Sequence, residues 1–454
     1  MTAFLARLPY PLFAAFATLA AFSAYFAMYG FRRPFTAGTY AGEWLATGVA
    51  LKTAFVISQL LGYTASKWIG VKICSEATRH GRGRLLVSFI VLAELALVLF
   101  AVLPGPWKVF ALFLNGLPLG MVWGLVVGYL EGRRCSDFVL AGLCGSFIIA
   151  SAVVKDVGRW LMSAHAVPEI WMPAATGLVF LPVFGLAVLA LSRLPPPDAQ
   201  DERLRVHRQP MDRAARRAFL RRFAPGLGAL FSFYLLLTAF RDFRDNYGVE
   251  IFHGLGYGRE TLGLFTRTEI WVAVGSLAGL AAINGFKDNR RALTAAFSLM
   301  IAGAAILLAA TMLRQHGSLS GMAWMIATGL GAYLAYVPIN AVLFERLMAA
   351  TGSIGTAVFG IQLADAIGYC GSVSIQVYKD LGHKGLSHLA FFQGFSWILG
   401  FSGIALLAFC AVYFHHRARP LPAAPPPAPV AQLPPPWAGR VVACSAAVAS
   451  SSYL

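Results

Sequence analysis

Charge is scarce in this chain. Only 13% of its 454 residues are Asp, Glu, Lys or Arg, whereas a soluble domain carries roughly 25%. Hydrophobic residues reach 58% and the mean hydropathy is +0.66, so a soluble fold could not cover its own surface. A soluble enzyme, a nucleic-acid regulator and a disordered chain are thereby excluded. Paired cysteines are lacking too. The six cysteines stand at positions 74, 135, 144, 370, 410 and 444, with no CxxC and no disulfide framework. No HExxH, GxSxG or GxxxxGKS/T occurs, and the nine histidines are scattered. Zinc hydrolysis, a nucleophile elbow and a phosphate loop therefore have no residues to work with. No catalysis, cofactor or metal is expected.

What is present is apolar sequence in span-sized runs. About twelve spans of ~20 residues would use ~240 residues. The runs fall near 10–31, 47–70, 85–103, 107–130, 138–162, 170–192, 225–247, 262–284, 292–313, 321–344, 353–378 and 389–414. The first has no small-residue cleavage site and continues into Arg32-Arg33, so it reads as a retained helix. Lys and Arg outnumber Asp and Glu by 37 to 20. Most of these bases fall in even-numbered turns such as 71–84, 131–137 and 285–291, with nine Arg between 193 and 222. Basic loops stay inside, so both termini are expected in the cytoplasm and the chain in the inner membrane.

The chain divides into residues 1–192, a basic linker 193–224, residues 225–416 and a Pro/Ala-rich tail 417–454 expected to be disordered. Around Met211–Phe223 the linker reads either as a short basic amphipathic helix on anionic lipid or as a solvated loop. The two halves echo each other. Lys52-Thr53 returns as Arg267-Thr268, Gly70-Val71-Lys72 as Gly285-Phe286-Lys287, and Leu130-Glu131 as Phe344-Glu345. Lys155-Asp156-Val157-Gly158 returns as Lys379-Asp380-Leu381-Gly382, and Gly30-Phe31-Arg32 as Ala239-Phe240-Arg241. The matches are collinear, and parallel six-helix repeats are a transporter architecture.

Twelve spans, a basic central loop and this repeat resemble the major facilitator superfamily over about residues 8–416. The resemblance implies an all-α integral membrane fold of two pseudo-symmetric six-helix bundles. It also implies that the first and seventh helices face one central cavity. A bacterial family of membrane proteins without assigned function is similar as well. The superfamily's second-to-third loop carries an acid. Here the matching stretch GYTASKWIGVK (62–72) has Ser66-Lys67 in its place.

Charges at bilayer depth are costly and need a reason. MYGFRRPF (28–35) closes the first span and AFRDFR (239–244) the seventh. The first segment resembles the organophosphate:phosphate antiporter subfamily. That resemblance implies that Arg32 and Arg241 grip an anion, with Tyr25 and Tyr29 adding hydroxyls. Guanidinium forks suit phosphate or carboxylate. The competing reading has Arg32 and Arg33 snorkelling at the boundary and Arg241 clamped by Asp242 or Asp245. Two departures, no histidine in the fifth span and Gln59 where a lysine is usual, point to a different anion or to no phosphate at all.

Other polar residues extend the candidate site. Asp365, mid-span in GIQLADAIGY (360–369), either carries a proton or pairs with a cavity arginine. Gln59, Asn340 and Gln362 are candidate polar contacts. Lys52 and Arg267 form a symmetric basic pair that either attracts anions or closes a gate. Glu269 is expected to find its partner on another helix. Lys155-Asp156 and Lys379-Asp380 read as gate charges, and Glu94 as a residue with a structural partner. Gly116, Gly120, Gly124 and Gly128 make a small-residue face for helix contact. The expected function is secondary transport of a small organic solute, with phosphorylated or carboxylated anions one class, by a monomer in the bilayer without nucleic acid. The alternative is a transport-inactive sensor of the same fold. Reporter fusions after residues 200 and 419 should give cytoplasmic signals and one after 165 a periplasmic signal. A periplasmic signal at 200 would overturn the orientation.

Overall fold

The computed structural model describes residues 2–5, 7–40, 49–76, 78–130, 136–196, 213–258, 263–286, 288–351, 357–383 and 385–417. Residues 197–212, half of the proposed linker, and the proposed tail beyond Arg417 lie outside these. Twelve long helices appear where the apolar runs stand. In the first half they are α1 (Tyr10–Arg32), α2 (Leu51–Glu76), α3 (Arg79–Val102), α4 (Trp107–Leu119 continued by Val122–Gly128), α5 (Ser136–Ala164) and α6 (Met172–Ser192). The second half has α7 (Ala224–Asn246, followed by a short helix Gly248–Gly254), α8 (Leu264–Asn284), α9 (Asn289–Gln315), α10, α11 (Ala357–Gly382) and α12 (His388–Arg417). α10 runs from Gly321 to Pro338, passes through a π-helical turn at Ile339–Leu343 and resumes as Phe344–Thr351. Helices outrun the apolar runs because backbone hydrogen bonding continues past the hydrocarbon. Stretch 62–72, matched above to the superfamily's second-to-third loop, therefore lies within α2.

The packing repeats with the sequence. In the first half α1 packs on α5 and α6, α4 on α2 and α3, and α3 on α6. The second half has the same pairs six helices on: α7 with α11 and α12, α10 with α8 and α9, and α9 with α12. One apolar core is built from residues between Phe13 and Leu194, another mostly from residues between Phe219 and Phe414. The halves meet through α5 against α8 and α2 against α11.

Among the described residues, eight helices are long and apolar enough to cross a membrane by length and composition.

The glycine face of α4 does what small residues do. A Cβ on Gly116 would strike the Gln59 carbonyl, and one on Gly120 the Tyr63 carbonyl and the Ser66 side chain, all on α2. Backbone contact leaves no room for a side chain to give way. Gly116→Val and Gly120→Val should each destabilise the protein by about 1–3 kcal/mol, read as a lower unfolding midpoint in detergent. An unchanged midpoint would show that α2 and α4 can separate freely.

Candidate functional site

Two layers of polar contacts connect the halves. The first lies at the face opposite the chain termini, where α1, α5, α7 and α11 end and α2 and α8 begin. Asp245 of α7 is its hub. Its Oδ1 accepts from Ser151 Oγ at 2.7 Å and Lys155 Nζ at 2.5 Å, both on α5, and Lys155 Nζ also reaches the Asp245 carbonyl at 2.8 Å. Arg33, just past α1, lies 3.5 Å from Asp245 Oδ2 and donates to Asn246 Oδ1 at 2.5 Å. Lys52 pairs with Glu250 at 2.6 Å and donates to the Thr36 carbonyl at 3.2 Å. Thr53 and Tyr247 share a hydroxyl hydrogen bond of 2.5 Å.

The repeated Lys-Asp motifs add a symmetric element. Asp156 at the end of α5 accepts from the Thr266 amide at 2.7 Å and its hydroxyl at 2.6 Å, at the start of α8. Asp380 at the end of α11 accepts from the Ala50 amide at 3.0 Å, at the start of α2. Each half thus places a carboxylate on a helix N-terminus of the other, where unpaired amides and the helix dipole favour negative charge.

The second layer lies deeper. Lys67 is sixteen residues into α2, about 24 Å along it. Its Nζ meets Asp365 Oδ2 at 3.1 Å and the Tyr369 hydroxyl at 2.9 Å, both on α11. Asp365 Oδ1 accepts from Tyr234 of α7 at 2.7 Å. Asn340, within the π turn of α10, donates to the Tyr234 hydroxyl at 3.2 Å and to the Tyr336 carbonyl at 3.1 Å. The Lys67 side chain is 36% exposed and that of Asp365 22%, so this layer is wet.

Between the layers stand the two arginines. Arg32 is buried and stacks on the Tyr63 ring, 3.8 Å from its centroid, with Tyr29 at 5.6 Å. Its Nε has no hydrogen-bond partner, and none of the ion pairs among the described residues includes it. Arg241 stacks on Tyr336 at 3.9 Å and pairs with Asp242 at 2.9 Å. Asp242 also accepts a hydrogen bond from Ser372 of α11. Tyr29 lies within electrostatic reach of both arginines. Tyr25 sits edge-on to Tyr29 at 5.7 Å and to Trp123 at 4.8 Å.

Other sequence candidates have different surroundings. The Gln59 amide donates to the Arg32 carbonyl at 2.6 Å and to Asn115 at 2.7 Å, and Asn115 donates to the Phe31 carbonyl at 3.1 Å. These two side chains fix the end of α1 from which Arg32 projects. Gln362 is exposed on α11 and Arg267 exposed on α8. Glu269 pairs with Arg244 of α7 at 2.6 Å, a partner on another helix as expected. Glu94 departs from expectation: both carboxylate oxygens are buried with no hydrogen-bond partner among the described residues. It lies against Phe31 and the Cα of Gly177, where an apolar contact takes the place of a polar one.

Lys67, Tyr63, Tyr336, Tyr369 and Tyr234 were not singled out from the sequence as site residues. A signal was present: Tyr63 and Lys67 are four apart on α2, as are Asp365 and Tyr369 on α11, a spacing that puts each pair on one helix face.

The architecture is that of an all-α, multi-pass membrane protein of two pseudo-symmetric six-helix bundles. The chain belongs to a family described as "Family of unknown function (DUF5690)", which it matches over residues 34–417. Solved structures share the fold at low identity. A D-xylose-proton symporter superposes with a TM-score of 0.59 at 15% identity, covering 87% of this chain and 96% of the other. The nucleoside transporter NupG gives 0.58 at 13%, covering 88% and 98%. A bacterial homologue of the human drug peptide transporters PepT1 and PepT2 gives 0.54 at 14%, covering 89% and 98%. No curated protein matches the sequence.

Removing the hub carboxylate leaves Lys155 and Arg33 buried without it, a change that costs about 3–5 kcal/mol for a buried pair. Asp245→Ala should therefore loosen the face opposite the termini. A Thr53→Cys thiol, protected in the otherwise intact protein, should then react with an impermeant maleimide added from that side. Equal protection with and without Asp245 would show that the polar layer does not hold this face shut.

Proposed function

We propose that the protein is a secondary active transporter that moves a small organic anion, phosphorylated or carboxylated, by alternating access. The observation that carries this reading is Arg32. A buried guanidinium stacked on Tyr63, with no carboxylate beside it among the described residues, is a charge waiting for a counter-ion, since an unpaired buried charge is strongly disfavoured. Arg241 is already neutralised by Asp242, and Lys67 by Asp365. The cluster is left with one uncompensated positive charge, and tyrosine hydroxyls stand ready to share the ligand. Transporter names among the solved structures of this fold are consistent with that use.

In the proposed cycle the face opposite the termini is closed by the Asp245 hub and the two crossing carboxylates. The anion enters from the terminal face, which the basic linker places in the cytoplasm of an inner-membrane protein, and pairs with Arg32. An anion that also draws Lys67 away frees Asp365, which Tyr234 still holds, to take a proton. Substrate and proton then bind to one polar layer. Opening the opposite face requires the carboxylates to leave the N-termini of α2 and α8.

Proteoliposome uptake of phosphorylated and carboxylated metabolites tests the reading. Each charge-assisted hydrogen bond is worth roughly 1.5–3 kcal/mol, so Arg32→Lys should weaken uptake about tenfold to a hundredfold while remaining folded, because lysine loses the planar fork. Arg241→Lys should weaken it less, since Asp242 already holds that charge. Full activity in Arg32→Lys would overturn the anion site. Asp365→Asn should abolish accumulation against a gradient but spare downhill exchange. Loss of exchange as well would make Asp365 a positioning residue for Lys67 and remove the proton step.

A further inference from the structure

A cavity lies far from the cluster just described. At the terminal face the start of α9 and the end of α12 leave a groove of about 270 Å³ that opens to the surface. Its walls are Leu293, Phe297, Ala411 and Val412, and its mouth carries Arg290, Thr294, His415 and His416. Phe297 and Leu293 form a buried floor, while Val412 is 59% exposed on the outer surface of α12. The groove runs inward from the mouth for about two helical turns, from Arg290 past Thr294 to Phe297, or about 10 Å.

The mouth is basic. Arg290 Nη2 lies 3.1 Å from His415 Nε2, and the buried Arg290 Nε has no hydrogen-bond partner among the described residues. Arg291 and Arg417 are exposed beside it. The neighbouring acid, Asp288, uses its carboxylate to cap α9 through the Arg291 amide at 2.7 Å. The linker helix Arg213–Arg222 brings four more arginines to the same end, with Arg216, Arg217, Arg221 and Arg222 all exposed. It is anchored there by Phe223 against Phe414 at 6.2 Å and by a hydrogen bond from Tyr413 to the Arg222 carbonyl at 3.4 Å.

We propose that this groove binds an anionic phospholipid, with its phosphate at Arg290 and His415 and one acyl chain along Phe297 and Val412. Two features of the groove together select that occupant. An apolar trough on a lipid-facing helix pair admits any acyl chain, whereas a cationic mouth at headgroup level favours a lipid with net negative charge. A soluble phosphate would satisfy the mouth and leave the trough bare. A neutral lipid would fill the trough and leave the guanidinium without its partner.

Native mass spectrometry of the full chain tests this, after incubation in detergent with equal amounts of phosphatidylglycerol and phosphatidylcholine bearing the same acyl chains. The intact protein should retain phosphatidylglycerol preferentially. Arg290→Gln combined with His415→Gln should cut that retention about tenfold, the loss expected for one charge-assisted hydrogen bond, and leave phosphatidylcholine retention unchanged. Val412→Trp fills the trough from an exposed position and should also expel the lipid, with the mouth intact. Arg314→Gln, at the far end of α9, should change nothing. Equal retention of the two lipids by the intact protein would overturn the site. So would undiminished phosphatidylglycerol on both groove variants.

Discussion

A carboxylate seated on the first amides of a helix in the opposite half is the contact that sets the relation of the two bundles. Asp156 at α8 and Asp380 at α2 are symmetry mates in sequence and in space. A charge held by backbone amides is oriented by a helix and not by a flexible side chain, so each bundle is positioned by the other's axis. Around these two contacts the Asp245 hub, Lys52–Glu250 and Thr53–Tyr247 add side-chain bonds that mutate and dissociate more easily.

The electrostatic asymmetry of the deeper cluster follows from how each bundle treats its arginine. The second half supplies Asp242 next to Arg241, and Ser372 holds that carboxylate. The first half places Arg33 where Asp242 would fall by symmetry, and Arg33 is drawn away to Asp245 and Asn246. Among the described residues, Arg32 has no carboxylate partner and stacks on tyrosine rings. A guanidinium tolerates this because a tyrosine face offers cation–π attraction of roughly 0.5–2 kcal/mol, less than the burial of an unpaired charge costs. The deficit is what an incoming anion would relieve.

Much of the fold was legible in the sequence, because bilayer thickness imposes a length on apolar runs and a repeat imposes collinear matches. The Lys-Asp motifs stood out for the same reason: both halves carry them. Lys67 was passed over because the stretch 62–72 was matched to a loop motif, although it falls inside the apolar run 47–70 and inside α2. Gln59 looked like a ligand contact because a polar residue in a span is conspicuous. Its amide is instead engaged by the carbonyl of Arg32, a backbone interaction that no side-chain pattern reveals. Cross-bundle partners such as Lys67 and Asp365, 298 positions apart in the chain, become neighbours only once the bundles are docked.

Docking also limits how the bundles can move. Backbone contact at Gly116 and Gly120 ties α2 to α4, while a smaller apolar cluster joins Ile148 of α5 to Val272 and Leu280 of α8. The halves touch along α2–α11 and α5–α8. Lys67–Asp365 lies on the first of those seams, about 24 Å from the crossing carboxylates by helix rise. Lys67 and the Asp380 contact thus lie toward opposite ends of one continuous helix, α2.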